Sequence, residues 1–279
     1  MNSTSSKVPD QPTIATVYSA YTQIWQTARR HLGGRIPGRF FLCSPLSEGG
    51  TSLTLATGIA GAASLTIEPS SDAIRDATRA GIVDFAVNTL DEALRILKNE
   101  IRKQQAVSVL LEGGVAQALA EMGERGAQPD LIAWYPSDDR RLAPFLERGA
   151  VLLSSSAGTE EASAGAEEPS ERDREDWLPV SWRTLEPSAQ ALRYLDSLVV
   201  NTLPEDDLER RHWVARAPRY LPRVLRTERS VAMTPDEATR FRAAVERAVA
   251  AGELSTAAEL QIGHGAPMQI VPPRPGAPS

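Results

Sequence analysis

Residues 39–80 read R-F-F-L-C-S-P-L-S-E-G-G-T-S-L-T-L-A-T-G-I-A-G-A-A-S-L-T-I-E-P-S-S-D-A-I-R-D-A-T-R-A, and their pattern decides the fold. Arg39–Cys43 is a short aromatic and apolar run with the character of a buried strand. Pro45, Gly49 and Gly50 mark a turn. Small residues from Thr51 to Ala62 then have helical length, and Ser64–Ile67 is a second strand that ends on Glu68. Strand, glycine turn, helix, strand and acidic residue is the order of a dinucleotide-binding βαβ unit. The candidate cofactor-binding residues of such a unit are Ser47, Gly49, Gly50 and Thr51 at the helix N-terminus, where a phosphate would sit. Glu68 is placed to accept from a ribose hydroxyl. Against this, the loop is not G-x-G-x-x-G, and Glu48 sets a negative charge where a phosphate would approach. Gly49 and Gly50 are equally explained by a tight turn, and Glu68 by a strand end facing water.

Outward from this unit the same alternation continues. Before it, Val17, Tyr21, Ile24, Trp25 and Ala28 recur at helical spacing from Ile14 to His31, and Gly33-Gly34 stops that helix. After it come a helix over Ser71–Arg79 and a strand at Asp84–Val87. A capping box at Thr89 and Glu92 then starts a helix reaching Lys103. Ala106–Leu111 is a β-branched apolar strand that Glu112-Gly113-Gly114 turns into a helix from Val115 to Glu124. Leu131–Trp134 and Ala150–Leu153 are strands around a helix at Asp138–Glu147. Strands alternating with helices predict a parallel sheet covered on both faces, doubly wound, with strand order 3-2-1-4-5-6. Gly113 and Gly114 then lie at the C-terminal end of the fourth strand beside the switch point, and join the candidate binding residues.

The composition breaks after this. Residues 154–176 carry Ser, Gly, Ala and Glu without apolar periodicity, and predict a disordered acidic linker. Beyond it, Ala191–Val200 has one apolar side, and Thr234-Pro-Asp-Glu237 opens a second helix with a capping box and proline in its first turn. The expected organisation is an α/β domain over 13–153, the linker, a helical C-terminal region over 177–262, and an unstructured tail over 263–279. Arg210–Arg226 is basic and interleaved with aromatics, and reads as a solvated surface whose arginine stems cover apolar neighbours, with anion or nucleic-acid binding, or a clamp on the acidic linker, as the alternatives.

The 279 residues carry a net charge of −6, which gives no general attraction to nucleic acid or anionic lipid. No stretch has the length of a membrane span. The N-terminus has no apolar leader segment, and the single cysteine excludes an internal disulfide, so a cytoplasmic protein is expected. His31, His212 and His264 fit no metal-ligand spacing. Cys43, on the first strand, reads as a packing residue. The abundance of arginine and alanine suits a GC-rich bacterial genome.

Four segments carry a resemblance to a known family: A-R-R-H-L-G-G-R-I-P-G-R-F-F-L (28–42), A-T-G-I-A-G-A-A-S-L-T-I-E (56–68), S-V-L-L-E-G-G-V-A-Q-A-L (108–119) and R-G-A-Q-P-D-L-I (125–132). From about Tyr18 to Ala150 the chain resembles the urocanases, in the Rossmann-like NAD-binding domain of those enzymes. The resemblance implies NAD as cofactor, bound by the residues named above, and a lyase of histidine degradation. Two segments depart from it. Pro45-Leu-Ser-Glu-Gly-Gly-Thr51 stands where urocanases have a run of closely spaced glycines, and Ala133-Trp-Tyr-Pro-Ser-Asp-Asp139 replaces a polar segment after the fifth strand. No counterpart of the larger urocanase catalytic core, with its cysteine, is matched. The sequence therefore predicts a divergent member without hydratase activity that binds a nucleotide-like ligand or a protein partner. An NAD-dependent hydratase completed by another subunit is the alternative. A homodimer or a partner would be held through the C-terminal region.

Overall fold

The computed structural model describes residues 12–135, 139–153, 176–254 and 256–271, which form two units. Residues 154–175 of the linker expected over 154–176, the extreme N-terminus and the last eight residues lie outside the described residues.

In the first unit, helix α1 (Ile14–His31) precedes an alternating series: β1 (Phe40–Cys43), α2 (Glu48–Ala60), β2 (Ala63–Glu68), α3 (Ser71–Ala80), β3 (Phe85–Val87), α4 (Leu90–Arg102), β4 (Val107–Glu112), α5 (Val115–Glu124), β5 (Leu131–Ala133), α6 (Ala143–Glu147) and β6 (Val151–Leu152). Local chemistry sets the helix ends. Ser47, Ser70 and Thr89 cap α2, α3 and α4 by accepting from the amides of Gly50, Ala73 and Glu92. At Thr89 this is one half of the expected capping box. Gly61 and Gly81 end α2 and α3 in the left-handed region, at φ 105° and 71°.

All six strands pair in parallel, in the order β3-β4-β2-β1-β5-β6. The doubly wound α/β architecture is as expected, but the order 3-2-1-4-5-6 is corrected, because β4 lies between β2 and β3. Burial explains the exchange. Val107–Leu111 is buried at every position, so this strand needs neighbours on both edges, whereas β3 is three residues long and leaves Phe85 and Ala86 exposed.

The sheet has two different faces. Phe40, Leu42, Leu65, Ile67, Val109, Leu111, Ile132 and Trp134 form a wholly apolar layer with Ala93 and Leu97 of α4, Leu119 and Met122 of α5, and Phe145 of α6. The opposite face, under α2, is partly polar: Thr54 shares a 3.0 Å hydrogen bond with Thr66, and the Cys43 thiol lies 3.6 Å from the Thr57 hydroxyl. Ile74 and Ala77 of α3 pack against Leu110 on this second face. Connections running β1→β2→β3 thus use one face, and those running β3→β4→β5→β6 use the other. Opposite directions on opposite faces keep one crossover hand throughout.

The second unit is an antiparallel sheet with three helices. β7 (Leu178–Thr184), β8 (Glu228–Met233), β9 (Ala258–Ile262) and β10 (Met268–Ile270) pair in the order β10-β9-β7-β8. The helices are α7 (Ala189–Thr202), α8 (Leu208–Tyr220) and α9 (Pro235–Ala250), the last with the complete Thr234/Glu237 capping box. The helices around 191–200 and 234–252 stand where periodicity placed them, and β7, β8 and β9 correct the expectation of a purely helical region over 177–262. β10 also corrects the expected unstructured tail: Met268–Ile270 alternates and pairs on the sheet edge with Ala258–Leu260. Trp182 and Phe241 meet edge to face at 5.6 Å in the core of this unit. Arg210, 2% exposed, makes two parallel bonds to Glu237 (2.6 and 2.9 Å), another to Asp207 (2.6 Å) and one to the Ala232 carbonyl (3.0 Å). The Trp177 ring lies 4.3 Å from its guanidinium carbon. Arg210 therefore ties together the starts of α8 and α9 and the end of β8.

Candidate functional site at the C-terminal strand edge

The strand order creates two crevices at the C-terminal edge of the parallel sheet. Neighbouring strands whose following loops leave to opposite faces open a ligand crevice at their C-terminal ends. That condition holds between β1 and β5, and again between β2 and β4. The first crevice is bounded by Ser47, Gly49, Gly50 and Thr51 from the β1–α2 turn and by Trp134 and Tyr135 after β5. The second is bounded by Glu68, Ser70 and Ser71 on one side and Glu112, Gly113 and Gly114 on the other.

At the first crevice the local chemistry serves the turn. The Ser47 hydroxyl accepts from the Gly50 amide (3.1 Å), and the Thr51 amide bonds the Ser47 carbonyl (2.8 Å). Only the Glu48 and Gly49 amides of the first turn are left without a partner among the described residues. A Cβ on Gly49 would lie 3.4 Å from Cδ2 of Tyr135, so the tyrosine ring covers that position. The Tyr135 hydroxyl reaches Gln23 of α1 at 3.3 Å, and burial raises its pKa. A Cβ on Gly50 would fall 1.9 Å from the Pro45 carbonyl oxygen, which makes Gly50 indispensable to the path of the loop.

Glu68 lies between the two crevices and is 5% exposed. One carboxylate oxygen accepts from the Leu46 amide at 2.8 Å, and the other accepts from the Ser70 amide at 2.9 Å. Its own carbonyl accepts from the Gly113 amide at 3.1 Å. The side chain expected to face a ribose thus clasps the β1–α2 turn to the start of α3. Charge-assisted bonds of this kind are among the stronger ones in a fold.

The second crevice is more open. Gly113 has φ 156°, and a Cβ added to Gly113 or Gly114 would meet nothing within 4 Å. Gly114 is the N-cap of α5 and supplies no side-chain cap, so the first amides of that helix face outward with the positive end of its dipole. Glu112, directly across the ladder from Glu68, is exposed and accepts a 2.5 Å hydrogen bond from the Ser71 hydroxyl. The sequence reading did not single out Glu112 or Tyr135. For Glu112 a signal was present, since β2 and β4 both end an apolar run on glutamate.

The expected site residues are therefore divided. Ser47, Gly50 and Thr51 close the turn, Gly49 lies beneath Tyr135, Glu68 is a buried clasp, and Gly113 and Gly114 alone line open space. The Cys43 thiol is fully buried, and burial pushes its pKa up to about 11, so it stays protonated and unreactive at neutral pH. Among the described residues no group of three or more His, Cys, Asp or Glu side chains is placed to hold a metal ion. No described helix is long and apolar enough to cross a membrane.

The residues of this chain do not fit a dinucleotide along the C-terminal strand edge. The acidic residue is withdrawn from the ribose, one glycine is covered by a ring, and Glu48 stands in the first turn of α2. The scaffold itself matches: residues 15–146 fit the family model described as Urocanase Rossmann-like domain. Helix α1 and the six-stranded parallel sheet with helices on both faces agree with this match, and residues 15–146 are similar to a urocanase Rossmann-like domain.

Proposed function

We propose that this chain is a divergent urocanase-like binding protein without urocanate hydratase activity, and that its ligand is nucleotide-like and smaller than a dinucleotide. The observation that carries the reading is the engagement of both Glu68 oxygens by backbone amides at 2.8 and 2.9 Å. The open backbone at Gly113–Gly114 supports a single phosphate-bearing ligand at the β2/β4 crevice, with the α5 amides as donors and exposed Glu112 as acceptor for a sugar hydroxyl.

The test is calorimetric titration of the full chain with AMP and with NAD, beside a urocanate absorbance assay. AMP should bind saturably, NAD no more tightly than AMP, and urocanate should persist. Val115→Pro removes one amide donor at the first helical position, where proline is well tolerated, and should weaken AMP binding while leaving the fold intact. Absence of AMP binding, or urocanate loss proportional to protein, would overturn the reading. The latter result would favour the NAD-dependent lyase.

A further inference from the structure

The opposite, N-terminal edge of the sheet holds a feature that the reading above does not use. The loop L-G-G-R-I-P-G-R before β1 and the end of α4 before β4 enclose a concavity of about 260 Å³, lined by Arg35, Pro37, Gly38, Arg39, Ile101, Arg102 and Gln104. Three of the lining residues are arginines, in a chain whose net charge is −6. They are not equivalent. Arg39 is engaged by Asp130 at 2.7 Å, and Asp130 also accepts from the Phe40 amide, so this pair joins the starts of β1 and β5. Arg35 makes no ion pair among the described residues, and Arg102 makes only a 3.4 Å bond to the Asn99 side chain. Arg102 alone would be explained by the negative end of the α4 dipole. Arg35 comes from a different segment and has no such role.

The backbone is shaped to bring these groups together. Gly38 has φ 83°, and a Cβ there would lie 3.4 Å from both the Gln104 side chain and the Ile101 carbonyl, so the loop approaches α4 closely. Gln104, at φ 56°, is the one non-glycine residue with positive φ among the described residues. It holds a position just past a helix end where glycine is usual, at a cost of order 1 kcal/mol. Its side chain is set against Gly38 at the groove. Two arginines without an ion pair among the described residues, and one amide side chain, around a concavity of this size suit a tetrahedral oxyanion.

We propose that Arg35 and Arg102, with Gln104, form a binding site for the phosphate group of a small molecule at the N-terminal edge of the sheet. The site is separate from the C-terminal edge, so its test does not depend on the function proposed above. Inorganic phosphate is titrated into the full chain by calorimetry, with acetate as a carboxylate of similar size. Phosphate should bind saturably and acetate far more weakly. Arg35→Ala and Arg102→Ala should each weaken phosphate binding by about tenfold or more. Arg35→Lys, which keeps the charge and loses the fork, should also weaken it. Arg125→Ala should have no effect, since Arg125 lines a different groove and is paired with Asp91 and Glu121. Arg35 and Arg102 are exposed, and unchanged thermal unfolding of the variants would show that the fold is kept. No saturable phosphate binding, equal binding of acetate, or binding unchanged in Arg35→Ala and Arg102→Ala would each overturn the proposal.

Discussion

Replacing Glu68 by alanine separates a structural carboxylate from a ligand-binding one, because the two roles give opposite signs. A side chain kept for a ligand is commonly neutral or costly to stability, so its removal leaves the fold unchanged or more stable. A clasp behaves otherwise. Glu68 is 5% exposed and accepts from the Leu46 and Ser70 amides at 2.8 and 2.9 Å. A hydrogen bond to a charged group contributes about 1.5–3 kcal/mol net. Two such bonds, discounted because water reaches the partly buried amides once the carboxylate is gone, give an expected loss of about 2–4 kcal/mol for Glu68→Ala. Glu68→Gln keeps one acceptor oxygen without the charge and should lose about half of that. The chain has two units, so a single unfolding midpoint would mix them. Amide hydrogen exchange resolves the first unit directly. Exchange at Leu46 and Ser70 should accelerate strongly in Glu68→Ala, less in Glu68→Gln, and amides of α9 in the second unit should not change. Unaltered exchange at Leu46 and Ser70, together with loss of a bound nucleotide, would return Glu68 to the ligand role and refute the clasp.

Other expectations follow from the same geometry. Gly50→Ala should destabilise the first unit by about 1–3 kcal/mol, since its Cβ would fall 1.9 Å from the Pro45 carbonyl. Gly49→Ala meets only the Tyr135 ring at 3.4 Å and should be near neutral or slightly stabilising. Chemical denaturation of the two variants side by side checks the contrast. Arg210→Ala leaves Glu237 buried without its partner and should cost the second unit about 3–5 kcal/mol, read by the fluorescence of Trp182 and Trp213. Burial, reinforced by Arg216, lowers the His212 pKa from 6.5 to about 4. Below pH 6.5 the unfolded chain takes up a proton that the folded chain does not, so stability falls as pH drops from 6.5 towards 4 and is unaffected above 6.5. After discounting for partial exposure the effect is about 1–2 kcal/mol. His212→Gln should flatten that part of the pH profile.

The first unit was legible because its signals are local and repeated. Apolar runs, glycine stops and serine or threonine caps recur from Ile14 to Leu152 and mark every helix and strand of the unit, although α2 starts three residues before the expected Thr51 and the helix expected from Asp138 is α6 from Ala143. Strand order is not local. It depends on which strand needs two neighbours, and the burial of Val107–Leu111 on both faces could be compared with the exposure of Phe85 and Ala86 only in the folded chain. The site was half legible for a related reason. Sequence placed Glu68 at the correct strand end, but whether its oxygens meet a ligand or the amides of Leu46 and Ser70 depends on the path of a loop twenty residues earlier. In the second unit, Pro179 near the start of β7 hid a central strand, since proline argues against one. It is accommodated at the second position of that strand, where its carbonyl accepts from the Gly263 amide at 2.8 Å.

The central claim is that a urocanase-type scaffold persists here with its dinucleotide edge given over to internal contacts. Native mass spectrometry of the freshly purified full chain, before and after addition of excess NAD, tests it most directly. The account predicts a spectrum of the bare chain in both cases. A species carrying one NAD per chain, retained through purification, would contradict it.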